Sequence, residues 1–301
     1  MSYNLKLRLE DIHLKNNKKL KKILSSRFKN NSVLSDTPHW KSESYLLNNV
    51  EYFQDLDSKT KTQLLNELAL DRVQEAYHIE KSGIAYGSKM TLLSETIDER
   101  VLYGSFTGDE ARHFKLIEKY NTDPSCDISE NTFLSFFANM IEEAPRKSLV
   151  FMIQVLLEGW GLDHYSTMAK ECQTQCLTND LESILEDEVL HHGSGVILFD
   201  EKELTKVERD YIQKSLLSFF EMVQVGPLSI LTRLESHTNG LSDYNRLKAL
   251  NELSAFDQTN TKLQKLKRLM KKAGAATLIE ELEEKSLLTP LSEEDMAKVI
   301  A

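Results

Sequence analysis

The residues with chemical potential in this 301-residue chain are glutamate and histidine set three positions apart. Three residues are nearly one helical turn, so both side chains project to the same side and can hold one metal ion. The spacing occurs as Glu10/His13, Glu75/His78, Glu110/His113 and Glu188/His191. Three features separate the last two from the others. Only Glu110 and Glu188 follow an aspartate, in Asp109-Glu-Ala-Arg-His113 and Asp187-Glu-Val-Leu-His191. Asp109 or Asp187 could accept the second N–H of the opposite helix's histidine and so set its tautomer. Each pair also has a lone glutamate 30 residues upstream, Glu80 for Glu110 and Glu158 for Glu188. Antiparallel helices bring residues level when they are equidistant from the turn, so the four carboxylates and two imidazoles can converge.

The third feature is the company these residues keep. Val73, Ala76, Tyr77 and Ile84 surround Glu80, and Tyr103, Phe106, Phe114 and Ile117 surround Glu110. Phe151, Val155, Leu162 and Tyr165 flank Glu158, and Leu181, Ile184 and Leu185 precede Glu188. Carboxylates facing a core cannot stay charged and unpaired there, and metal cations resolve that cost. Eight of the eleven glycines (83, 87, 104, 108, 159, 161, 193 and 195) lie within seven residues of a proposed ligand. A glycine within a helix costs about 1 kcal/mol against alanine. Their clustering reads either as room for dioxygen and an organic substrate or as close helix packing.

These ligands need helices to position them. No proline occurs between Lys61 and Asn121, where apolar residues recur at helical spacing. The Ser94-Glu-Thr96 stretch supplies a break and an N-cap, which splits the segment into two helices. A connection with a short helix over about 130–141 follows, then a long helix over 146–170 behind Pro145 and another over 177–198. Thr178-Asn-Asp180 is a local turn cue, but a turn there would leave Glu158 and Glu188 roughly 18 Å out of level at ~1.5 Å per residue. Ligand geometry instead places the turn near Cys172–Cys176. A long helix over 205–236 is expected to kink at Gly226-Pro227, and residues 241–301 read as helical and charged. The expected fold is all-α: a four-helix bundle with one long crossover over 61–200, a helical extension over 1–60 and covering helices over 201–301.

Composition agrees with a helical protein and excludes other classes. Five prolines and eleven glycines are few for a β-rich chain. A net charge of −10 argues against nucleic-acid binding, and the basic run at 262–272 reads as a solvated helix face. No apolar run approaches a membrane span, and residues 1–19 lack the features of a secretory signal. Cys126, Cys172 and Cys176 form no paired framework, so reduced thiols and a cytoplasmic location are expected.

Glu80, Asp109-Glu110-x-x-His113, Glu158 and Asp187-Glu188-x-x-His191 resemble the ligand set of the ferritin-like superfamily's di-iron carboxylate proteins. The repeated Asp-Glu-x-x-His is similar to that of multicomponent monooxygenase hydroxylases and arylamine N-oxygenases, with related patterns in acyl-carrier desaturases and rubrerythrins. Rubredoxin-like cysteine pairs are absent, and neither chain end matches a subfamily. The resemblance implies an oxidoreductase with two iron ions, manganese or a mixed pair being compatible with the donors. Its substrates would be dioxygen and a small organic molecule, oxidised by hydroxylation, desaturation, N-oxygenation or C–C cleavage. An external electron donor and a homodimer are compatible with it. The alternative is a ferroxidase without an organic substrate, which predicts a solvent-open site.

Other candidates carry less. His78 lies about 200° around the helix from Glu80 and is expected on a polar face with Asp71, Glu75 and Ser82, either exposed or hydrogen-bonded. His192 is either a further ligand or a structural neighbour, and His164 is expected to be structural. Tyr103 and Tyr165, each a heptad from a ligand, are candidate pocket residues.

Overall fold

The computed structural model describes residues 18–28, 37–122, 131–238 and 240–299. Glu10/His13 and Cys126 lie outside the described residues, as does part of the extension expected over 1–60. Every element is helical, and no strand occurs among the described residues. The chain divides into two compact units, Met1–Ser35 with Leu70–Arg146, and Asp36–Ala69 with Lys147–Ala301.

The first unit contains α1 (Lys18–Arg27), most of α3 (Ser58–Leu93), α4 (Ile97–Glu118) and α5 (Thr132–Glu143). The expected break falls in place: the Thr96 side chain accepts from Glu99 N, and the Glu99 carboxylate accepts from Glu95 N at 2.8 Å. Arg146 pairs with Glu99 at 2.5 Å, tying the entry of α4 to the end of the unit. Lys89 donates to the carbonyls of Ile141, Glu142 and Ala144, satisfying acceptors that the end of α5 leaves open. Contacts between α3 and α4 are antiparallel and centre near Thr96. Tyr77 and Phe114 have ring centroids 4.8 Å apart, and the backbones approach closely at Gly87 and Thr107.

The second unit opens with 3₁₀ turns at Ser42–Tyr45 and Leu47–Asn49 and the short α2 (Glu51–Gln54). Asp57 caps the start of α3 by accepting from Lys59 N and Thr60 N. The helix expected over 146–170 is continuous but not uniform. An α-turn, α6 (Arg146–Leu149), leads into a π-helical segment over Val150–Leu157, which continues as α7 (Glu158–Glu171). Cys172–Thr174 form the turn into α8 (Gln175–Leu198), so the ligand geometry located this turn better than the local cue at 178–180. Trp40 is fully buried and its indole N–H donates to Met168 O at 2.8 Å. Gln173 N donates to His39 O, which pins this stretch to the turn.

The expected kinked helix is two helices, α9 (Lys206–Gln224) and α10 (Leu228–Ser236), with a 45° bend across Gly226-Pro227. Four more follow: α11 (Asp243–Glu252), α12 (Ala255–Lys272), α13 (Ala276–Glu284) and α14 (Glu293–Val299). α12 carries the basic run, buries Leu263, Leu266 and Met270, and pairs Lys265 with Asp163 and Lys267 with Glu283. Glu201 caps α13 by accepting from Leu278 N at 3.1 Å. Buried Gln224 spans the segment before α14, donating to the carbonyls of Leu287 and Thr289 and accepting from Leu291 N. No single helix among the described residues is long and apolar enough to cross a membrane.

Candidate metal centre

Two half-sites are built from helix pairs. In the first, α3 supplies Glu80 and α4 supplies Glu110 and His113, which are 1%, 4% and 0% exposed. His113 Nδ1 lies 3.3 Å from Glu80 Oε2. Gly83 sits one turn from Glu80, and a Cβ there would lie 2.1 Å from Glu110 Oε2. The missing side chain is the space that the Glu110 carboxylate occupies.

In the second half-site, α7 begins with Glu158, which is half-buried, and α8 supplies buried Glu188 and His191. His191 Nδ1 lies 3.4 Å from Glu188 Oε2. Both histidines therefore turn the same ring nitrogen toward a carboxylate. To bind a cation that nitrogen must be unprotonated, which leaves the ring proton on Nε2.

Within the first unit Glu80, Glu110 and His113 form a buried group that could hold a metal ion, each offering a ligand atom within 4.8 Å of the others. Within the second, Glu158, Glu188 and His191 form a group by the same criterion. The two groups together contain the six residues expected from the sequence. Neither contains Glu75, His78 or His192.

The remaining candidates take other positions. Asp109 and Asp187 are half-buried beside their glutamates. His192 is 5% exposed, and its Nδ1–H donates to Gln154 O at 3.1 Å. Burial pushes its pKa below the usual imidazole range, with the Gln154 carbonyl opposing. Tyr103 is fully buried against Tyr86 (ring centroids 6.4 Å apart), one heptad before Glu110. Tyr165 is 4% exposed and adjoins the ring of half-buried His164.

The exposed alternative for His78 needs correction: it is 4% exposed, with its ring edge-on to Tyr77. A helix wheel registers a residue's own neighbours but not the elements packed over them. The glycines divide between close packing and open space. Gly83, Gly87, Gly159 and Gly195 each admit a close neighbour, whereas a Cβ at Gly104, Gly108, Gly161 or Gly193 would meet nothing within 4 Å. Gln154 was missed. Its signal was a lone amide in the apolar run Val-Phe-Met-Ile-Gln-Val-Leu-Leu, which the structure places in the π-helical segment.

Comparison with protein-family models, characterised proteins and solved structures gives no match for this chain. Fold and site therefore define a class by their own chemistry: an all-helical protein with a buried group of glutamates and histidines able to hold metal. That class is compatible with a ferritin-like di-iron fold.

Proposed function

We propose that this protein is a dioxygen-dependent oxidoreductase with a non-haem dimetal centre, iron in the first instance, built on a ferritin-like bundle. The observation that carries the reading is the repetition of one ligand set, a glutamate opposite Glu-x-x-His, in each of the two units. Two such sets supply donors for two cations. Charge supports the same count. Four carboxylates balance two divalent cations, whereas one would leave two uncompensated charges in a largely buried site, at a cost of several kcal/mol each. The oxygen-rich donor set with two imidazoles suits iron or manganese.

In this reading Glu80, Glu110 and His113 would hold one cation, and Glu158, Glu188 and His191 would hold the other. Bound ferrous ions would supply the electrons that reduce dioxygen. The protein's own part is to deliver Nδ1 unprotonated from both histidines, to hold the carboxylates at fixed positions and to limit access of water. Burial of five of the six ligands favours oxidation of an organic substrate over open iron handling.

The test is elemental analysis of the purified chain, followed by anaerobic Fe(II) loading and exposure to oxygen. About two metal ions per chain are expected, with oxygen consumed and the iron retained. Glu110→Ala and Glu188→Ala should each abolish tight binding, while Glu75→Ala leaves it unchanged. Failure to take up metal would sink the proposal. Release of oxidised iron as mineral would favour the ferroxidase reading.

A further inference from the structure

We infer that Gln154 is a positioning residue for the metal ligand His191, an inference that rests on the dimetal reading above. Gln154 is fully buried within the π-helical segment Val150–Leu157, where its side chain is the one amide among apolar neighbours. Its Nε2 donates to His191 O at 3.2 Å and to Ser194 Oγ at 2.9 Å. Ser194 Oγ donates to the same His191 carbonyl at 2.8 Å. The Gln154 carbonyl in turn accepts from His192 Nδ1. Gly195 makes the approach possible, because a Cβ there would lie 2.3 Å from Gln154 Cβ.

One residue thus grips α8 through the peptide of the ligand itself, through the adjacent His192 and through Ser194 in the next turn. Two side-chain donors on His191 O restrict rotation of that peptide, and the ring direction of His191 follows from it. A buried amide is costly if its bonds are not made, whereas an apolar residue could pack here without that risk. The π-helical geometry fits the same task. It widens the turn where the amide enters and is a feature that concentrates at functional sites.

The experiment is a Co(II) titration of the full chain, read by the ligand-field absorption bands and the dissociation constant, with thermal unfolding of the metal-free protein alongside. Gln154→Met keeps side-chain length and removes the donors. Gln224→Met is the control: it is also buried and bonded to three backbone groups, none of them in a proposed ligand. Both variants should lose stability, but only Gln154→Met should weaken Co(II) binding tenfold or more and change the band pattern. Ser194→Ala, a milder change that removes one donor from the same carbonyl, should move both readouts in the same direction by less. Wild-type affinity and bands in Gln154→Met, or in Ser194→Ala should Gln154→Met fail to fold, would overturn the inference alone. A wild-type chain that binds no Co(II) would overturn the dimetal reading and this inference with it.

Discussion

At the residue scale, the site depends as much on an absent side chain as on those present. Gly83 leaves room for the Glu110 carboxylate, and an alanine Cβ would compete for that space at 2.1 Å. Glu110 has a flexible side chain that can swing away, so the metal-free protein should tolerate Gly83→Ala. Alanine's better helix propensity, worth up to about 1 kcal/mol, offsets part of the crowding. Metal affinity should nevertheless fall at least tenfold, because the displaced carboxylate is one of the three donors of its group. A titration of the variant beside its unfolding curve separates these effects. Unchanged affinity would show that Glu110 is not held where binding needs it.

At the element scale, register does most of the positioning. Contacts between α3 and α4 centre near Thr96, and those of the π–α7 run with α8 centre near Thr174, the two turns that bring the ligand pairs level. Helix ends follow ordinary capping chemistry. α12 ends in a Schellman motif, with Ala275 N bonded to Met270 O and Gly274 at φ +77°. α13 ends in the same motif, with Leu287 N bonded to Leu282 O, but Ser286 occupies the left-handed position at φ 57°. Serine pays a steric penalty there that glycine avoids, on the order of 1 kcal/mol. Ser286→Gly should therefore raise the thermal midpoint by about 2–4 °C, and Gly274→Ala should lower it by a similar amount. A midpoint lowered by Ser286→Gly would mean that the serine side chain contributes more than its backbone strain costs.

At the scale of the whole molecule, the response to alkali has a readable contribution from Tyr103. Burial is the largest cause raising its pKa, to about 12; the nearby Arg146 charge opposes it, the Glu99 charge adds to it, and a hydrogen bond with Tyr86 opposes it. Below pH ~10 both folded and unfolded chains keep this phenol protonated, and the contribution is fully present. Between about pH 10 and 12 the unfolded chain loses the proton first, so stability falls as pH rises, by about 2–3 kcal/mol from this group. Unfolding curves across that range should show a shallower decline for Tyr103→Phe than for wild type. Parallel declines would mean that the phenol is not shielded from solvent.

What the sequence by itself determined is what periodicity can encode. Glu-x-x-His falls on one helix face because a helix has 3.6 residues per turn. The equal 30-residue offsets place the turns because antiparallel partners are equidistant from them. Apolar flanks mark Glu80, Glu110 and Glu188 as buried because unpaired charge is not tolerated in a core. What only the tertiary structure decided depends on elements distant in sequence. Burial of His78, the division of the glycines between close approach and open space, and the grip of Gln154 on the His191 carbonyl are set by what packs opposite. The π-helical segment belongs to the same group, since its residues would also suit an ordinary α-helix. A sequence lists the side chains that each helix face carries; which of them meet is decided by packing.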